Sequence, residues 1–408
     1  MPVFLKNFIN LALNQGVNIG IALLITPLLF QALGEEAYGY VQLALSIMML
    51  LSIVVGYGFH LNGPKRISLA KENSQEYHYL VNSILGFRVL LSVVMIALVV
   101  IVSCVALQNN TFQLILIAST PVLLSEALYP LFFLQGRDSL SRLVLTNVIS
   151  KITYAILIVW IIKNPSDSLF VNLFFGGASA VVYFVFWVHQ YQSNRLVWVR
   201  IPWSQITAYA KDNAHYFLSA IAGQVATQGG LIIVSFFITA TELGKYALAQ
   251  RIGFLLRMVP VFFTQAILQR ASVLYASNKP SFYQYTNKVF WQGLALTGAM
   301  AIAVVFAAKW IIIVLSGEEI PYAVSVLQIL AFIPFAGMLN FKNMLLILVD
   351  EKKELLNLAT WITVIVMLFS ACIGSWYYGG IGMAVALLVT EVCSVIIHAS
   401  VLKSTKHA

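Results

Sequence analysis

Apolar stretches of about 20 residues or more recur along this chain and are separated only by short polar connections, and about 20 mostly apolar residues suffice for a helix to cross a bilayer. Of the 408 residues, 60% are hydrophobic and 10% are charged, whereas an ordinary soluble domain has roughly 25% charged residues. The pattern excludes a water-soluble globule. It predicts an all-α polytopic membrane protein.

The apolar stretches predict about twelve transmembrane helices, arranged as two lobes of six. The predicted spans of the first lobe are 8–33, 38–61, 80–107, 112–134, 143–162 and 170–190. Those of the second lobe are 214–239, 244–269, 285–315, 321–348, 355–376 and 381–402. We therefore expect an N-terminal lobe at 1–190, a cytoplasmic linker at 191–213 and a C-terminal lobe at 214–408.

Charge alternates between successive connections. Acids dominate one set, namely Glu35, Glu36, Asp167, Glu242, Glu318 and Glu319. The other set holds most of the 24 basic residues, namely Lys6, Lys65, Arg66, Lys71, Arg137, Arg142, Arg195, Arg200, Lys211, Arg270, Lys279, Lys352, Lys353, Lys403 and Lys406. Because cytoplasmic loops carry the excess of Lys and Arg, we expect both termini in the cytoplasm.

The two halves repeat weakly. Gly39 and Gly244 each follow a short acidic connection and open a helix, at an offset of 205 residues (244 − 39 = 205). Arg66 and Arg270 then mark the basic ends at nearly the same offset. An even number of helices in each half gives both halves the same orientation, so the predicted repeat axis lies along the membrane normal, as in some transporters.

Six ionisable side chains within the predicted spans are candidates for a functional role: Arg88, Arg251, Arg257, Lys342, Glu126 and Glu391. A charge at membrane depth is costly and indicates a functional position. At 1.5 Å of rise per residue, Arg257 lies roughly 20 Å and Arg251 roughly 10 Å from the outer end of the eighth helix. Arg88 and Lys342 lie about two turns from the cytoplasmic face, where snorkelling side chains reach water.

Arg257 is expected either to line a wet cavity or to form a buried ion pair. Cations at this depth suit an anionic diphosphate, because arginine binds phosphate oxygens bidentately. Glu126 stands between Pro121 and Pro130 in the fourth span. It is either a proton-coupling carboxylate or the structural partner of an arginine. For Glu391, a hydrogen bond between helices is expected.

Asn14, Gln15 and Asn18 cluster within about one turn of the first helix. Amides of this kind either bond neighbouring helices or line a cavity. No phosphate-binding loop is present, and Cys104, Cys372 and Cys393 show no metal-ligand spacing. We expect no cofactor and no metal.

Three parts of the sequence resemble Wzx-type O-antigen flippases. The sequence LGEEAYG at 33–39 resembles the opening signature of that family. GYGF at 56–59 and NGPKR at 62–66 resemble the glycine-containing end of its second helix and its basic loop. LQG at 134–136 resembles the turn that follows its fourth helix.

This resemblance implies a member of the multidrug/oligosaccharidyl-lipid/polysaccharide exporter superfamily, with a cationic cavity that alternates between inward-open and outward-open states. The implied cargo is an undecaprenyl-diphosphate-linked O-antigen repeat unit, moved from the cytoplasmic to the periplasmic leaflet of the bacterial inner membrane. An O-antigen polymerase and a chain-length regulator are the implied protein partners.

Ala249, Gln250 and Arg251 also resemble an Ala-x-Arg sequence in the eighth helix of peptidoglycan-precursor flippases, where the arginine serves the diphosphate of the substrate. Those flippases carry an arginine in the first helix, where this chain has Asn14 and Gln15. The candidate substrate site therefore comprises Arg251, Arg257, Arg88, Lys342, Asn14 and Gln15, with Glu126 as the candidate for ion coupling.

Two other classes of function were considered. A drug or small-solute antiporter of the same superfamily would typically present carboxylates to cations, whereas this chain has more basic than acidic candidates. A membrane enzyme needs a nucleophile–base arrangement, often in a substantial outer loop, and the outer connections here are short. A lipid-linked anionic cargo is the favoured interpretation.

Overall fold

In the computed structural model of the protein, the described residues are 3–72, 74–193, 195–199, 202–350 and 353–404. Arg200, Lys352 and Lys406, three of the basic residues used to predict orientation, lie outside them, as do the side chains of Lys6 and Lys353. Ten helical stretches within the described residues are long and apolar enough to cross a membrane. The prediction of an all-α polytopic membrane protein is confirmed.

In chain order, the described residues form a 3₁₀ helix at Pro165–Asp167 and fifteen α-helices. They are α1 (Val3–Gly56), α2 (Phe59–Leu69), α3 (Gln75–Ala106), α4 (Asn110–Ala118), α5 (Pro121–Leu128), α6 (Leu131–Gly136), α7 (Leu140–Ile161), α8 (Ser168–Gln192), α9 (Trp203–Val234), α10 (Ala240–Ser277), α11 (Lys279–Ser316), α12 (Pro321–Leu330), α13 (Ile333–Leu339), α14 (Phe341–Val349) and α15 (Lys353–Ser404).

The long helix α1 is a hairpin that reverses at Gly34. Gly34 has φ 73° and ψ 175°, a backbone conformation that residues with a Cβ rarely adopt. The rings of Phe30 and Tyr38 pack edge to face with centroids 5.2 Å apart, although eight residues of straight helix would rise about 12 Å. The LGEEAYG sequence therefore forms the turn between two helical arms.

The other long helix, α15, reverses at Gly379, which has φ 56°. The hydroxyl oxygens of Ser370 and Thr390, 20 positions apart, are 3.3 Å from each other. A straight helix would place them about 30 Å apart. If each hairpin is counted as two arms, the ten candidate spans become twelve, the number that the sequence predicts. That all twelve cross the membrane, and that both termini lie in the cytoplasm, stay predictions.

Two predicted spans are each divided into three short helices. In the first half these are α4, α5 and α6, and in the second half α12, α13 and α14. Proline begins α5 at Pro121, precedes α6 at Pro130 and lies in the first turn of α13 at Pro334. Proline lacks the N–H that continues a helix, so the backbone is irregular at membrane depth in both halves.

The chain divides into two compact units, Met1–Gln224 and Val225–Ala408. The predicted linker 191–213 lies wholly in unit 1, because the start of α9 packs on that unit. The rings of Tyr57 and Phe217 stack at 4.5 Å, and Arg66 Nη2 lies 2.9 Å from Asp212 Oδ2. The first half of α9 therefore extends unit 1 beyond the predicted lobe, and the division into 1–190 and 214–408 stays a prediction.

Gly176 and Gly177 of α8 provide a matched test of helix packing in unit 1. A Cβ at Gly176 would lie 2.3 Å from the backbone nitrogen of Val122 in α5, whereas a Cβ at Gly177 would meet nothing within 4 Å. We expect Gly176→Ala to lower the free energy of unfolding by about 1–3 kcal/mol. Gly177→Ala should change it by about 0.5 kcal/mol or less.

Thermal unfolding of the two purified variants in one detergent measures this difference. Equal unfolding temperatures for Gly176→Ala and Gly177→Ala would contradict the close approach of α5 and α8.

Candidate functional site

The helix breaks before Pro130, and side chains of two other helices donate to three backbone carbonyls at this break. Arg88 of α3 donates from Nη1 to the carbonyl of Tyr129 at 3.0 Å and from Nη2 to the carbonyl of Glu126. Trp187 of α8 donates from Nε1 to the carbonyl of Leu128 at 2.7 Å. Polar side chains of α3 and α8 therefore provide hydrogen-bond donors at the break.

Arg88 also forms an ion pair across helices. Its Nη2 lies 3.0 Å from Glu126 Oε1, and only 4% of the Arg88 side chain is exposed. The guanidinium carbon lies 5.4 Å from the ring centre of Phe132. Arg88 thus has one carboxylate, two carbonyls and one aromatic face as partners. These contacts hold the guanidinium in place within the protein.

Glu126 is less enclosed than its partner and borders a cavity of about 220 Å³ within unit 1. About a third of its side chain is exposed. His60 and Gln224 line the same cavity. A Cβ added to Gly56 would lie 3.0 Å from Glu126 Oε1, so the glycine of the GYGF sequence leaves room for the carboxylate. The cavity is large enough for several water molecules.

Unit 2 contains a second pair within the membrane. Arg257 Nη2 of α10 lies 2.8 Å from Glu391 Oε1 of α15, with 31% of the arginine side chain and 17% of the glutamate side chain exposed. Arg257 Nη1 donates to the carbonyl of Ala226 at 3.2 Å. The arginine borders a cavity of about 20 Å³ that Gln250 also lines. Such a space holds about one water molecule.

The two pairs differ in how tightly each arginine is held. Arg88 is almost fully buried and donates to two carbonyls as well as to Glu126. Arg257 is about a third exposed and donates to one carbonyl. Replacing the carboxylate that pairs with Arg257 by another anion would therefore disrupt fewer protein contacts than the same exchange at Arg88. Of the two, Arg257 is the more exposed arginine and has fewer protein partners.

Arg251 and Arg257 lie on the same helix, six positions apart (257 − 251 = 6). That spacing separates them by about 9 Å along the axis and by about 120° around it. Arg251 is partly exposed. Within the described part of the chain, no hydrogen bond or ion pair of its side chain is found, so its charge is not neutralised there.

Lys342 and Arg257 line different cavities of unit 2. Lys342 Nζ donates to Asn287 Oδ1 at 2.7 Å and lies 4.1 Å from the ring centre of Phe290. The side chain is exposed and lines a separate cavity of about 440 Å³ in unit 2. Its place in a common substrate site with Arg257 stays a prediction.

Two of the three amides in the first helix share one partner, and the third does not. Asn147 of α7 donates from Nδ2 to Asn14 Oδ1 at 2.9 Å and to Asn18 Oδ1 at 3.1 Å. Asn14 is buried, whereas Gln15 is exposed. Asn14 thus makes the bond between helices that was one of its two expected roles, and the cavity role of Gln15 stays a prediction.

Three contributors to these sites were not predicted as such. Trp187 and Asn147 bind polar groups of helices far away in sequence, and nothing in an apolar span marks them as donors. In the sequence, Gly56 stands out only as part of the GYGF sequence that resembles the flippase family. A small residue opposite an acid is a recognisable packing signal, but the contact joins positions 70 residues apart (126 − 56 = 70).

Comparison with known proteins agrees with this architecture. The profile of the family described as "Polysaccharide biosynthesis protein" matches residues 4–272, which is 269 of 408 residues (272 − 4 + 1 = 269). A protein of Escherichia coli (strain K12) named "Putative O-antigen transporter" is 23% identical over 390 residues, covering 95% of this chain and 93% of the relative.

Two solved structures share the fold. The lipid II flippase MurJ in an inward closed conformation superposes with a TM-score of 0.76 at 15% identity, covering 97% of this chain and 87% of that one. An inward-facing multidrug resistance MATE family transporter of the MOP superfamily superposes with a TM-score of 0.72 at 12% identity, covering 97% and 99%. The fold is that of MOP-superfamily transporters.

Arg88, Arg257 and Arg251 differ in how many contacts they make with the protein. This difference predicts an order of stability for their alanine variants. Arg88→Ala removes the partner of the Glu126 carboxylate and the donor to the carbonyl of Tyr129, and losing one partner of a buried pair costs about 3–5 kcal/mol. Arg257→Ala should cost less, because its site is more exposed. Arg251→Ala should cost least, since its side chain has no partner among the described residues.

Unfolding temperatures of the three purified variants under identical conditions measure this order. An Arg251→Ala protein less stable than Arg88→Ala would contradict the assignment of Arg88 to the backbone break.

Proposed function

The chain belongs to the polysaccharide biosynthesis protein family, and from this premise we propose that it is a flippase for undecaprenyl-diphosphate-linked O-antigen repeat units. It moves them from the cytoplasmic to the periplasmic leaflet of the bacterial inner membrane. The relative named for O-antigen transport is matched along nearly its whole length. Because the match is not confined to one domain, it supports the same class of cargo for this chain.

The observation that carries the proposal is the pair formed by Arg257 and Glu391. A diphosphate cannot cross hydrocarbon unaccompanied, and a guanidinium binds phosphate oxygens in the same two-pronged geometry as a carboxylate. Glu391 therefore holds the position that a substrate phosphate takes. Displacing it replaces one charge-assisted contact by another, and so avoids exposing a bare cation.

Arg251 supplies a second positive charge on the same helix. Its charge is not neutralised by any described residue, and it lies about 9 Å from Arg257 along the helix axis. A diphosphate with two or more negative charges is attracted to this segment of α10 more strongly than a single carboxylate is. The prenyl tail stays in the lipid while the head group moves, and the cycle alternates between inward-open and outward-open states.

Glu126 is the proposed coupling residue. Its Oε1 binds Arg88, while the carboxylate borders a cavity that also contains His60. Protonation of Glu126 would remove the charge that Arg88 pairs with, but the carbonyls of residues 126 and 129 would still hold the arginine. A proton can therefore be taken up without releasing the backbone break.

A drug or small-solute antiporter is the alternative. Within the membrane the candidates are four basic side chains and two acidic ones, and each acid is already paired with an arginine. The surplus is positive, which repels organic cations. An antiporter of cationic drugs would need an unpaired carboxylate at this depth. The charge balance favours an anionic cargo.

Deleting the gene in its own host and complementing it from a plasmid tests the function. We expect the lipid-linked oligosaccharide to accumulate and the surface polysaccharide to disappear, both restored by the wild-type gene. The measurement is extraction of polyprenyl-linked sugars together with an assay of surface polymer. Unchanged sugars together with altered drug sensitivity would support the antiporter instead.

Variants of the pair separate a substrate contact from a structural one. Arg257→Ala should reduce export at least tenfold, since a charge-assisted hydrogen bond contributes about 1.5–3 kcal/mol. The double variant Arg257→Ala with Glu391→Gln leaves no unpaired charge, so it should restore the protein level but not export. Complementation of the deletion strain, with protein levels measured by immunoblot, provides both readouts.

Restored export in the double variant would contradict the proposed role, because it would mean that Arg257 serves only to neutralise Glu391. Arg257→Lys is the conservative control, which keeps the charge and loses the two-pronged geometry.

A further inference from the structure

A second basic site lies at one end of unit 1, outside the membrane-spanning segments. It is a cavity of about 760 Å³ where three connections meet: the one between α2 and α3, the one between α6 and α7, and the segment after α8. This is the end predicted to face the cytoplasm. Neither the pairs within the membrane nor the proposed transport step uses it.

Three arginines line this cavity, namely Arg137, Arg142 and Arg195, against one acid, Glu72. The hydroxyl groups of Ser68, Ser139 and Ser193 line it as well. The formal charge of the lining is therefore +2 (3 − 1 = 2). The three hydroxyls donate to backbone carbonyls, so the guanidinium groups are the donors from which phosphate oxygens accept.

Arg137 is held in a fixed orientation at the wall of the cavity. It pairs with Glu72 and donates from Nη1 to the Tyr77 hydroxyl oxygen at 3.0 Å. Its guanidinium carbon lies 5.7 Å from the ring centres of both Tyr77 and Phe133. An arginine clamped between two rings and a carboxylate has lost most of its conformational freedom before any ligand arrives.

The other two arginines are exposed. Within the described ranges, no hydrogen bond or ion pair of the Arg142 or Arg195 side chain is found. Both lie close enough to act on Arg137: burial lowers the pKa of Arg137, and the charges of Arg142 and Arg195 lower it further. The cavity therefore concentrates positive charge that Glu72 only partly offsets.

The surroundings fit a lipid better than a soluble ion. Large apolar side chains next to the cavity in sequence are exposed, namely Leu69 at 76%, Val197 at 51% and Trp198 at 72%. Tryptophan is enriched at the level of lipid head groups. Basic pockets between helices on the cytoplasmic side of membrane proteins bind anionic head groups. A phosphate in the cavity would thus lie beside groups suited to acyl chains.

We infer that this arginine cavity binds a phosphate group, carried by an anionic phospholipid or free in solution, independently of the Arg257 site. Arg137 forms the fixed wall, and Arg142 and Arg195 close on the phosphate from the exposed side. The proposal does not rest on the proposed function, because binding can be measured without transport.

The test uses the full-length purified protein and the double variant Arg142→Gln with Arg195→Gln. The matched control, Lys65→Gln with Lys71→Gln, removes the same charge from exposed residues that do not line the cavity. The probes are short-chain phosphatidylglycerol, phosphatidylcholine of the same chain length, and inorganic phosphate. The measurement is the dissociation constant obtained from thermal stabilisation at increasing ligand concentration.

We expect phosphatidylglycerol to bind the wild type and the lysine variant equally and the arginine variant at least about tenfold more weakly, since each basic side chain near an anionic head group contributes on the order of 1 kcal/mol. Phosphatidylcholine should bind more weakly than phosphatidylglycerol to the wild type. Inorganic phosphate binding as tightly as phosphatidylglycerol would uphold the site and identify the source as soluble. Equal binding by both variants, or none by the wild type, would overturn the proposal.

Discussion

Hydrocarbon offers no hydrogen-bond partner to backbone groups, so a helix that breaks at membrane depth must be completed by the protein itself. The break before Pro130 shows how this is done. Arg88 and Trp187 donate to the three carbonyls of residues 126, 128 and 129. Glu126 then neutralises the arginine that the break requires. The irregular fourth span thus creates the first charged pair of the protein.

The same kind of pair is held less tightly in the second unit. Arg257 also binds a glutamate and a carbonyl, but it is less buried and has fewer partners than Arg88. One pair is therefore held by several protein contacts, whereas the other has fewer contacts to lose.

Much of this architecture can be predicted from the sequence, because local patterns of residues determine it. Apolar length predicts the spans, and the LGEEAYG sequence coincides with the turn of the first hairpin at Gly34. The pairing of charges is different. Glu391 lies 134 positions after Arg257 (391 − 257 = 134), and no local pattern states which helices become neighbours. Asn14 and Gln15 are adjacent, yet one is buried and the other exposed, because an apolar helix does not reveal which face packs inward.

The central claim is that this chain carries an anionic lipid-linked oligosaccharide across a bilayer with Arg257 in contact with its phosphate. Purified protein reconstituted in liposomes with an undecaprenyl-diphosphate-linked oligosaccharide provides the most direct measurement, using an added glycosidase that reaches only the outer leaflet. We expect wild-type protein to expose cargo from the inner leaflet to the enzyme. In liposomes with Arg257→Ala, we expect the enzyme to reach no more cargo than in protein-free liposomes. Equal exposure with both proteins would contradict the role of Arg257, and no exposure with wild type would contradict the flippase itself.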